Sequence, residues 1–307
     1  MKNVFIAINP SAGQSDHEEV TKYIRGQCQA HSWECDFYST VGDHTDQENL
    51  TNAGKRDYDL FIAAGGDGTV AMVADAAINA EAPLAIVPVG TGNGAARVLN
   101  IPLEWKEAVD LLFESSSTYR LDSMYIGGQH FLLHCGVGLS GIALRKTDLK
   151  SKHILGRLYY PFAGLRAFFG FQPHRFEVTI DDETHYFKGV EMFVINSASI
   201  GDPYLRWSET IRPTDGVLDV FFVRARTFID FIRLTWNTIL GRQRLDPNIT
   251  YHRVRKSIHV RSEPSLPMQA DGEYVTTTPL TIELLPESIE VISPGGSTEM
   301  VEVKGND

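Results

Sequence analysis

Three short apolar runs each end in a glycine-rich turn, and this repetition constrains the fold more than any other feature of the chain. Val4 to Ile8 runs into Asn9-Pro10-Ser11-Ala12-Gly13, Leu60 to Ala64 into Gly65-Gly66-Asp67-Gly68-Thr69, and Leu84 to Val89 into Gly90-Thr91-Gly92-Asn93-Gly94. Helical patterns lie between them. Glu18 to Gln29 carries Val20, Tyr23, Ile24 and Cys28 at helical spacing, and helices are predicted over Thr69 to about Ala80, over Leu103 to Glu114, and as a short turn over Ala95 to Leu99. Trp33 to Ser39 alternates like a further strand. Strands alternating with helices indicate βαβ units and a parallel sheet.

From Arg120 the rhythm changes to period two. Strands are predicted at Leu121 to Ile126, Phe131 to Gly136, Arg175 to Ile180, Tyr186 to Asn196, Leu218 to Val223, Ser257 to Val260, Thr281 to Leu285 and Ile289 to Ile292. Helical inserts are predicted at about Ile154 to Phe169 and Phe228 to Leu240. Many short strands with polar turns indicate an antiparallel sandwich or barrel. The expected fold is therefore α/β plus β. Residues 1–120 are expected to form a Rossmann-like α/β domain, onto which residues from about 293 to 307 can pack back, and residues 121–292 an antiparallel β-sandwich domain.

Composition narrows the function classes. The 307 residues are 43% hydrophobic and 22% charged, ordinary values for a chain that buries a core. The apolar runs are too short to span a bilayer, and Met1 to Asn9 lacks the apolar stretch of a signal peptide, so a cytoplasmic protein is expected. A net charge of −11 speaks against nucleic acid as a partner and against adsorption to anionic lipid by global charge, so any membrane contact must be local. Cys28, Cys35 and Cys135 form no even framework and read as buried free thiols of a reducing compartment. The ten histidines show no zinc-site spacing.

In an open parallel sheet, ligands bind where loops gather at the carboxyl ends of the strands. Glycine lets backbone N–H groups approach an anion, and a following helix adds a favourable dipole. A single such loop is as readily a tight strand-to-helix turn, and Asp67 taken alone is as readily an N-cap. Inside a phosphate-cradling loop, however, a carboxylate repels the ligand unless it holds Mg²⁺ or takes a proton from an attacking hydroxyl. There is no GxxxxGK[ST] sequence and no GxGxxG after the first strand, which sets aside P-loop enzymes and the usual dinucleotide fold.

The combination resembles the diacylglycerol kinase catalytic-domain superfamily, which includes bacterial lipid kinases and sphingosine and ceramide kinases. The resemblance rests on Asn9-Pro10-Ser11-Ala12-Gly13, Gly65-Gly66-Asp67-Gly68-Thr69 and Pro88-Val89-Gly90-Thr91-Gly92-Asn93. It continues through Asp122, Asn196, Pro213-Thr214-Asp215-Gly216-Val217-Leu218-Asp219 and Asp271-Gly272-Glu273, nearly the whole chain. It implies an ATP-dependent, Mg²⁺-requiring kinase acting on a hydroxyl of a membrane lipid such as diacylglycerol. Asn9, Pro10, Ser11, Gly65, Gly66, Gly68, Thr69, Gly90, Thr91, Gly92, Asn93 and Glu273 would bind the nucleotide. Asp67 would serve as base or Mg²⁺ partner, Asp271 as the rival base, and Asp122 as the acid near the acceptor, with the site expected in the interdomain cleft. Asp215, Leu218 and Asp219 would hold a structural Mg²⁺, against the plainer reading of a polar turn before a strand.

The resemblance also implies a transient, peripheral membrane contact, and a homodimer is compatible with it. Two positions depart from the bacterial pattern: Gly94 and Ser140 stand where many members carry Asp. The rival enzyme is NAD kinase, which shares the GGDGT-type turn, and the rival outside enzymes is a catalytically inactive nucleotide- or lipid-binding regulator. Gly92-Asn93-Gly94-Ala95-Ala96-Arg97 favours the lipid branch, and the joint presence of Asp67, Asp122, Asp271 and Glu273 favours catalysis.

Two apolar stripes complete the reading. Leu155, Leu158, Tyr159, Phe162, Leu165, Phe168 and Phe169 form one, with Lys152, Arg157 and Arg166 beside it. Phe228, Ile229, Phe231, Ile232, Leu234, Trp236, Ile239 and Leu240 form the other, with Arg233, Arg242 and Arg244. Core packing is the expected role of both, and a lipid-facing entrance the alternative.

Overall fold

The computed structural model describes residues 1–13, 15–42, 44–114, 117–145, 172–197, 211–225, 227–239, 242 and 246–294. Of these, residues before Met124 and after Pro286 form one compact unit, and those between form a second. The helical insert predicted at Ile154 to Phe169 lies outside the described residues.

The first unit is a layered α/β fold built from β1 (Asn3–Ile8), α1 (His17–Ala30), β2 (Glu34–Ser39), α2 (His44–Ala53), β3 (Leu60–Gly65), α3 (Asp67–Asn79), β4 (Leu84–Pro88), α4 (Gly94–Val98) and α5 (Trp105–Glu114). The strands run parallel in the order β2-β1-β3-β4. Val291, near the end of the last strand of the chain, adds to β4 in parallel opposite Leu84. Every residue of β3 and β4 is buried, as expected for parallel strands covered on both faces.

Helix α1 starts where Asp16 accepts hydrogen bonds from the Glu18 and Glu19 amides, and it lays Val20, Ile24 and Cys28 on the sheet. Helix α2 has no sequence signal because it is almost wholly polar. It buries Leu50 and Ala53 and is fixed at its start by the buried Asp46, whose carboxylate accepts from the Val41 and Gly42 amides and from the Tyr38 hydroxyl at 2.6 Å.

The free-thiol expectation fails for two of the three cysteines. Cys28 at the end of α1 and Cys35 in β2 form a disulfide, their Cα atoms 6.7 Å apart. The intervening turn folds back on itself, the Trp33 amide donating to the Cys28 carbonyl at 2.9 Å, and so brings together two residues that sequence spacing does not pair. Cys135 is free and buried.

The second unit is a sandwich. One sheet has the order β12-β11-β10-β7-β14-β15, antiparallel throughout: β12 is Ile249–Val254, β11 Leu218–Val223, β10 Glu191–Ile195, β7 His134–Gly138, β14 Pro267–Ala270 and β15 Glu273–Thr277. The facing layer pairs β8 (His174–Ile180) with β9 (Glu183–Gly189) and with β13 (Ser257–Glu263), and β13 with the first residues of β16 (Leu280–Ile292). Strands β5 (Thr118–Ile126) and β6 (Gln129–Phe131) form a hairpin, and α6 (Leu139–Arg145) follows β7. Between the layers Phe187 stacks on Phe176 at 4.6 Å and on Phe222 at 4.3 Å, inside a core that includes Val178, Met192, Val194, Val220, Ile258 and Ile282.

The single strand predicted from Tyr186 to Asn196 is two strands in different sheets. Gly189 and Val190 are both buried, which breaks the alternation, and Val190 donates its amide to the Val223 carbonyl at 2.9 Å as the chain changes layers. The core reading of the second apolar stripe also fails in part. In α7 (Phe228–Ile239), Leu234 is buried against Val190 and Val223, whereas Ile229, Ile232 and Trp236, on the opposite side of the helix, are exposed.

Candidate active site

The three glycine-rich turns converge at the carboxyl ends of β1, β3 and β4, around the point where the strand order reverses between β1 and β3. Asn9 ties two of them together. Its amide donates to the Ala64 carbonyl at 2.9 Å, its side-chain Nδ2 donates to Thr69 Oγ1 at 3.3 Å, and its Oδ1 accepts from the Ser11 amide at 2.9 Å. Val89 donates its amide to the Gly65 carbonyl at 3.2 Å and links the second turn to the third. There Gly90 passes so close to Gly66 that a β-carbon on it would collide with the Gly66 backbone. This contact requires glycine.

Asp67 is the first residue of α3, and its carboxylate points across to the third turn. Oδ1 accepts the Ala95 amide, near the start of α4, at 3.0 Å. Oδ2 lies on the Gly92 side and accepts no hydrogen bond among the described residues. Asn93 adopts the left-handed conformation with φ 52°, and its Nδ2 donates to the Gly90 carbonyl at 2.8 Å. Its Oδ1 is buried and has no partner among the described residues. Pro10, Ser11, Gly68, Thr91 and Gly92 sit on the same loops, with Thr91 and Gly92 exposed.

A cavity of about 400 Å³ opens beside this cradle, lined by Ile8, Pro10, His17, Thr21, Arg25 and Ser39 among others. His17 Nδ1, on its wall, is buried without a partner among the described residues. These features fit a bound nucleotide: exposed loop amides for phosphates, an uncommitted carboxylate oxygen, and two buried polar atoms that lack protein partners.

Asp122 is fully buried, and its Oδ1 accepts the Glu287 amide at 2.9 Å. That bond fixes the chain at Glu287, which has φ 48°. The geometry shows Asp122 holding backbone.

In the second unit, Asp271 has φ 46°, and its carboxylate accepts three amides: Leu132 at 2.8 Å, Leu133 at 3.1 Å and His134 at 2.9 Å. Loss of hydration raises its pKa, while His134 and the three amides pull the other way. Glu273 is exposed at the start of β15.

For the implied metal site, the described residues hold no cluster of three or more His, Cys, Asp or Glu side chains placed for an ion. The pair does carry one sign of a hard cation's place. Lost hydration and then the charge of Asp219 raise the pKa of Asp215, so a cation there would relieve repulsion. Asp219 is already shared, however: it accepts the Tyr251 hydroxyl, and Arg253 Nε lies 3.8 Å away. Leu218 begins β11 beside them.

The sequence reading missed Glu191. It opens the otherwise apolar run Met192 to Ile195, a lone carboxylate that could have been noticed there. Its oxygens accept the Ser140 amide at 2.7 Å and the Ser140 hydroxyl at 2.6 Å, over the bare backbone of Gly136, where any β-carbon would collide with them. Burial pushes its pKa up to about 7.

A parallel α/β unit with three convergent glycine-rich turns is thus followed by an antiparallel sandwich. Residues 3–125 match the diacylglycerol kinase catalytic domain, and residues 135–293 match the YegS C-terminal NAD kinase beta sandwich-like domain. The chain belongs to the diacylglycerol kinase catalytic-domain superfamily. It is 26% identical to the diacylglycerol kinase of Bacillus subtilis (strain 168), over 98% of this chain and all of that one. It is 28% identical to the uncharacterized protein sll0036 of Synechocystis sp., over 95% of this chain and 70% of the relative. A crystal structure of a diacylglycerol kinase from Bacillus anthracis str. Sterne superposes with a TM-score of 0.76 at 26% identity, covering 95% of this chain and 97% of that one.

Proposed function

We propose that this chain transfers the terminal phosphoryl group of ATP to a hydroxyl of a membrane lipid such as diacylglycerol, with Mg²⁺, while in peripheral contact with the bilayer. The observation that carries the reading is Asp67: one oxygen fixed by the Ala95 amide and the other uncommitted, at the centre of a cradle of loop amides.

Phosphoryl transfer asks a protein mainly for positioning and for neutralisation of charge. The Asn9, Gly66 and Gly90 turns orient the phosphates, and the cavity beside Pro10 and His17 is suited to the nucleotide's base. Asp67 Oδ2 receives the acceptor hydroxyl's proton or holds the metal. Mg²⁺, when bound with the nucleotide, neutralises the phosphate oxygens. Asp271 is the weaker candidate for base, because both of its oxygens already accept backbone amides.

The test is ADP release from Mg-ATP in detergent micelles carrying a panel of lipid alcohols, with NAD in a parallel well. Release that depends on one lipid alcohol supports the proposal. Release with NAD alone, accompanied by formation of NADP, overturns it.

A further inference from the structure

Helix α7 presents a surface that the transfer reaction does not use. Ile229, Ile232 and Trp236 lie at spacings of three and four residues, so they share one stripe, and they are 74%, 51% and 62% exposed. The opposite side is anchored: Leu234 packs into Val190, Val223 and Ala225. The helix is thus held to its unit while an indole and two isoleucine side chains face solvent.

The charged groups beside that stripe differ in exposure. Arg233 reaches Asp230 and Asp246, each at 3.3 Å. Its own side chain remains 44% exposed, against 21% for Asp230 and none for Asp246. Arg242, just past the helix, is exposed as well. The edge therefore shows more guanidinium than carboxylate to solvent: Asp246 is fully buried and Asp230 is half-buried. On a chain of net charge −11, the edge of this apolar stripe turns its cationic groups further outward than its acidic ones.

We infer that α7 is a docking element for an anionic phospholipid bilayer, with Ile229, Ile232 and Trp236 inserting at the headgroup boundary and Arg233 and Arg242 meeting the lipid phosphates. Tryptophan favours the membrane–water interface, where its ring sits in the apolar layer and its N–H stays wet. Guanidinium groups at the rim supply the electrostatic attraction that such helices require. The inference deepens the lipid kinase reading and rests on it for its purpose, since the acceptor of that reaction resides in a bilayer.

The experiment is vesicle flotation of the full chain, compared with Trp236→Glu and Ile232→Asp. Vesicles of phosphatidylcholine with phosphatidylglycerol are set against phosphatidylcholine alone, at low and high salt. Binding is read without turnover, so a chain that phosphorylates no lipid still gives an answer. The expected result is flotation with the anionic vesicles, weakened by salt, and a partition constant lowered at least roughly tenfold by either substitution. Both positions are exposed, so melting temperatures should match the wild type; where one variant fails to fold, the other decides. Equal flotation of wild type and folded variants overturns the inference, as does no flotation of the wild type. A wild-type dimer that either substitution splits, with flotation unchanged, also overturns it and assigns the stripe to a second copy of the chain.

Discussion

The Asp67 carboxylate accepts the Ala95 amide at 3.0 Å, so the second glycine-rich turn is clamped to the first turn of the helix that follows the third. This bond orients the carboxylate and leaves Oδ2 available for chemistry. Asn at position 67 would keep an oxygen for the Ala95 amide but would lose the charge and the proton acceptor. Asp67→Asn should lower turnover by at least on the order of a hundredfold, with melting temperature little changed. Turnover close to wild type would remove Asp67 from the mechanism.

The approach of Gly90 to Gly66 makes a second expectation. An alanine at position 90 would force the third turn away from the second, because the atom it meets is backbone and cannot swing aside. Gly90→Ala should cost about 1–3 kcal/mol of stability, as overpacking does. It should also weaken the rise in melting temperature that ATP gives. A variant with unchanged stability and an unchanged ATP response would show that the turns are not closely apposed in solution.

Asp271 separates a structural role from a catalytic one. Asn in its place can present one oxygen to Leu133 and His134, but its NH₂ group would then face the Leu132 amide, donor against donor. Asp271→Asn should therefore lower stability by about 1–3 kcal/mol. Its effect on turnover, measured well below the melting temperature, should be smaller than that of Asp67→Asn. The reverse ranking would make Asp271 the base.

The cradle is legible in the sequence because its parts are local: each turn follows directly on an apolar run, and Asp67 stands inside one of them. The bond that orients Asp67 is not legible, since its donor is a main-chain amide that any residue but proline would supply at position 95. The Cys28–Cys35 disulfide depends on how α1 returns into β2, and helix α2, whose buried apolar residues are only Leu50 and Ala53, is fixed at its start by the buried Asp46. The apolar residues of α7 are visible in sequence, but that Leu234 packs inward while Ile229, Ile232 and Trp236 face solvent depends on tertiary contacts with Val190 and Val223. Glu191 reads as an ordinary strand-end residue until Gly136 and Ser140 are seen to be packed against it.

Glu191 also gives a pH dependence with a definite sign. Burial raises its pKa from the ordinary 4.5 to about 7, so the folded protein holds this proton more tightly than the unfolded chain. The associated stability is fully present below 4.5, is lost as pH rises toward about 7, and is flat beyond. The loss is on the order of 3 kcal/mol. Glu191→Gln keeps an acceptor for the Ser140 amide and removes the titration. Urea unfolding across this pH range should show the wild type losing stability relative to the variant as pH rises. A constant difference between the two would mean that Glu191 titrates normally.

Asp215 and Asp219 offer the last test, in which the sign of a substitution should depend on the metal. Lost hydration and the neighbouring Asp219 charge both raise the Asp215 pKa, so without a cation the pair is mutually unfavourable. Asp215→Asn relieves that repulsion and should leave the metal-free protein at least as stable as the wild type. With Mg²⁺ bound only to the folded state, the wild type gains stability as the ion concentration exceeds its dissociation constant, by about 2.7 kcal/mol at a hundredfold excess. The variant should gain little, so the two melting curves should exchange order between chelator and Mg²⁺, measured without nucleotide. Tyr251 and Arg253 already share Asp219, and if they satisfy the pair by themselves, Mg²⁺ will move neither curve. In that case the segment from Asp215 to Asp219 is a polar turn leading into β11, and any Mg²⁺ requirement of turnover belongs to the nucleotide alone.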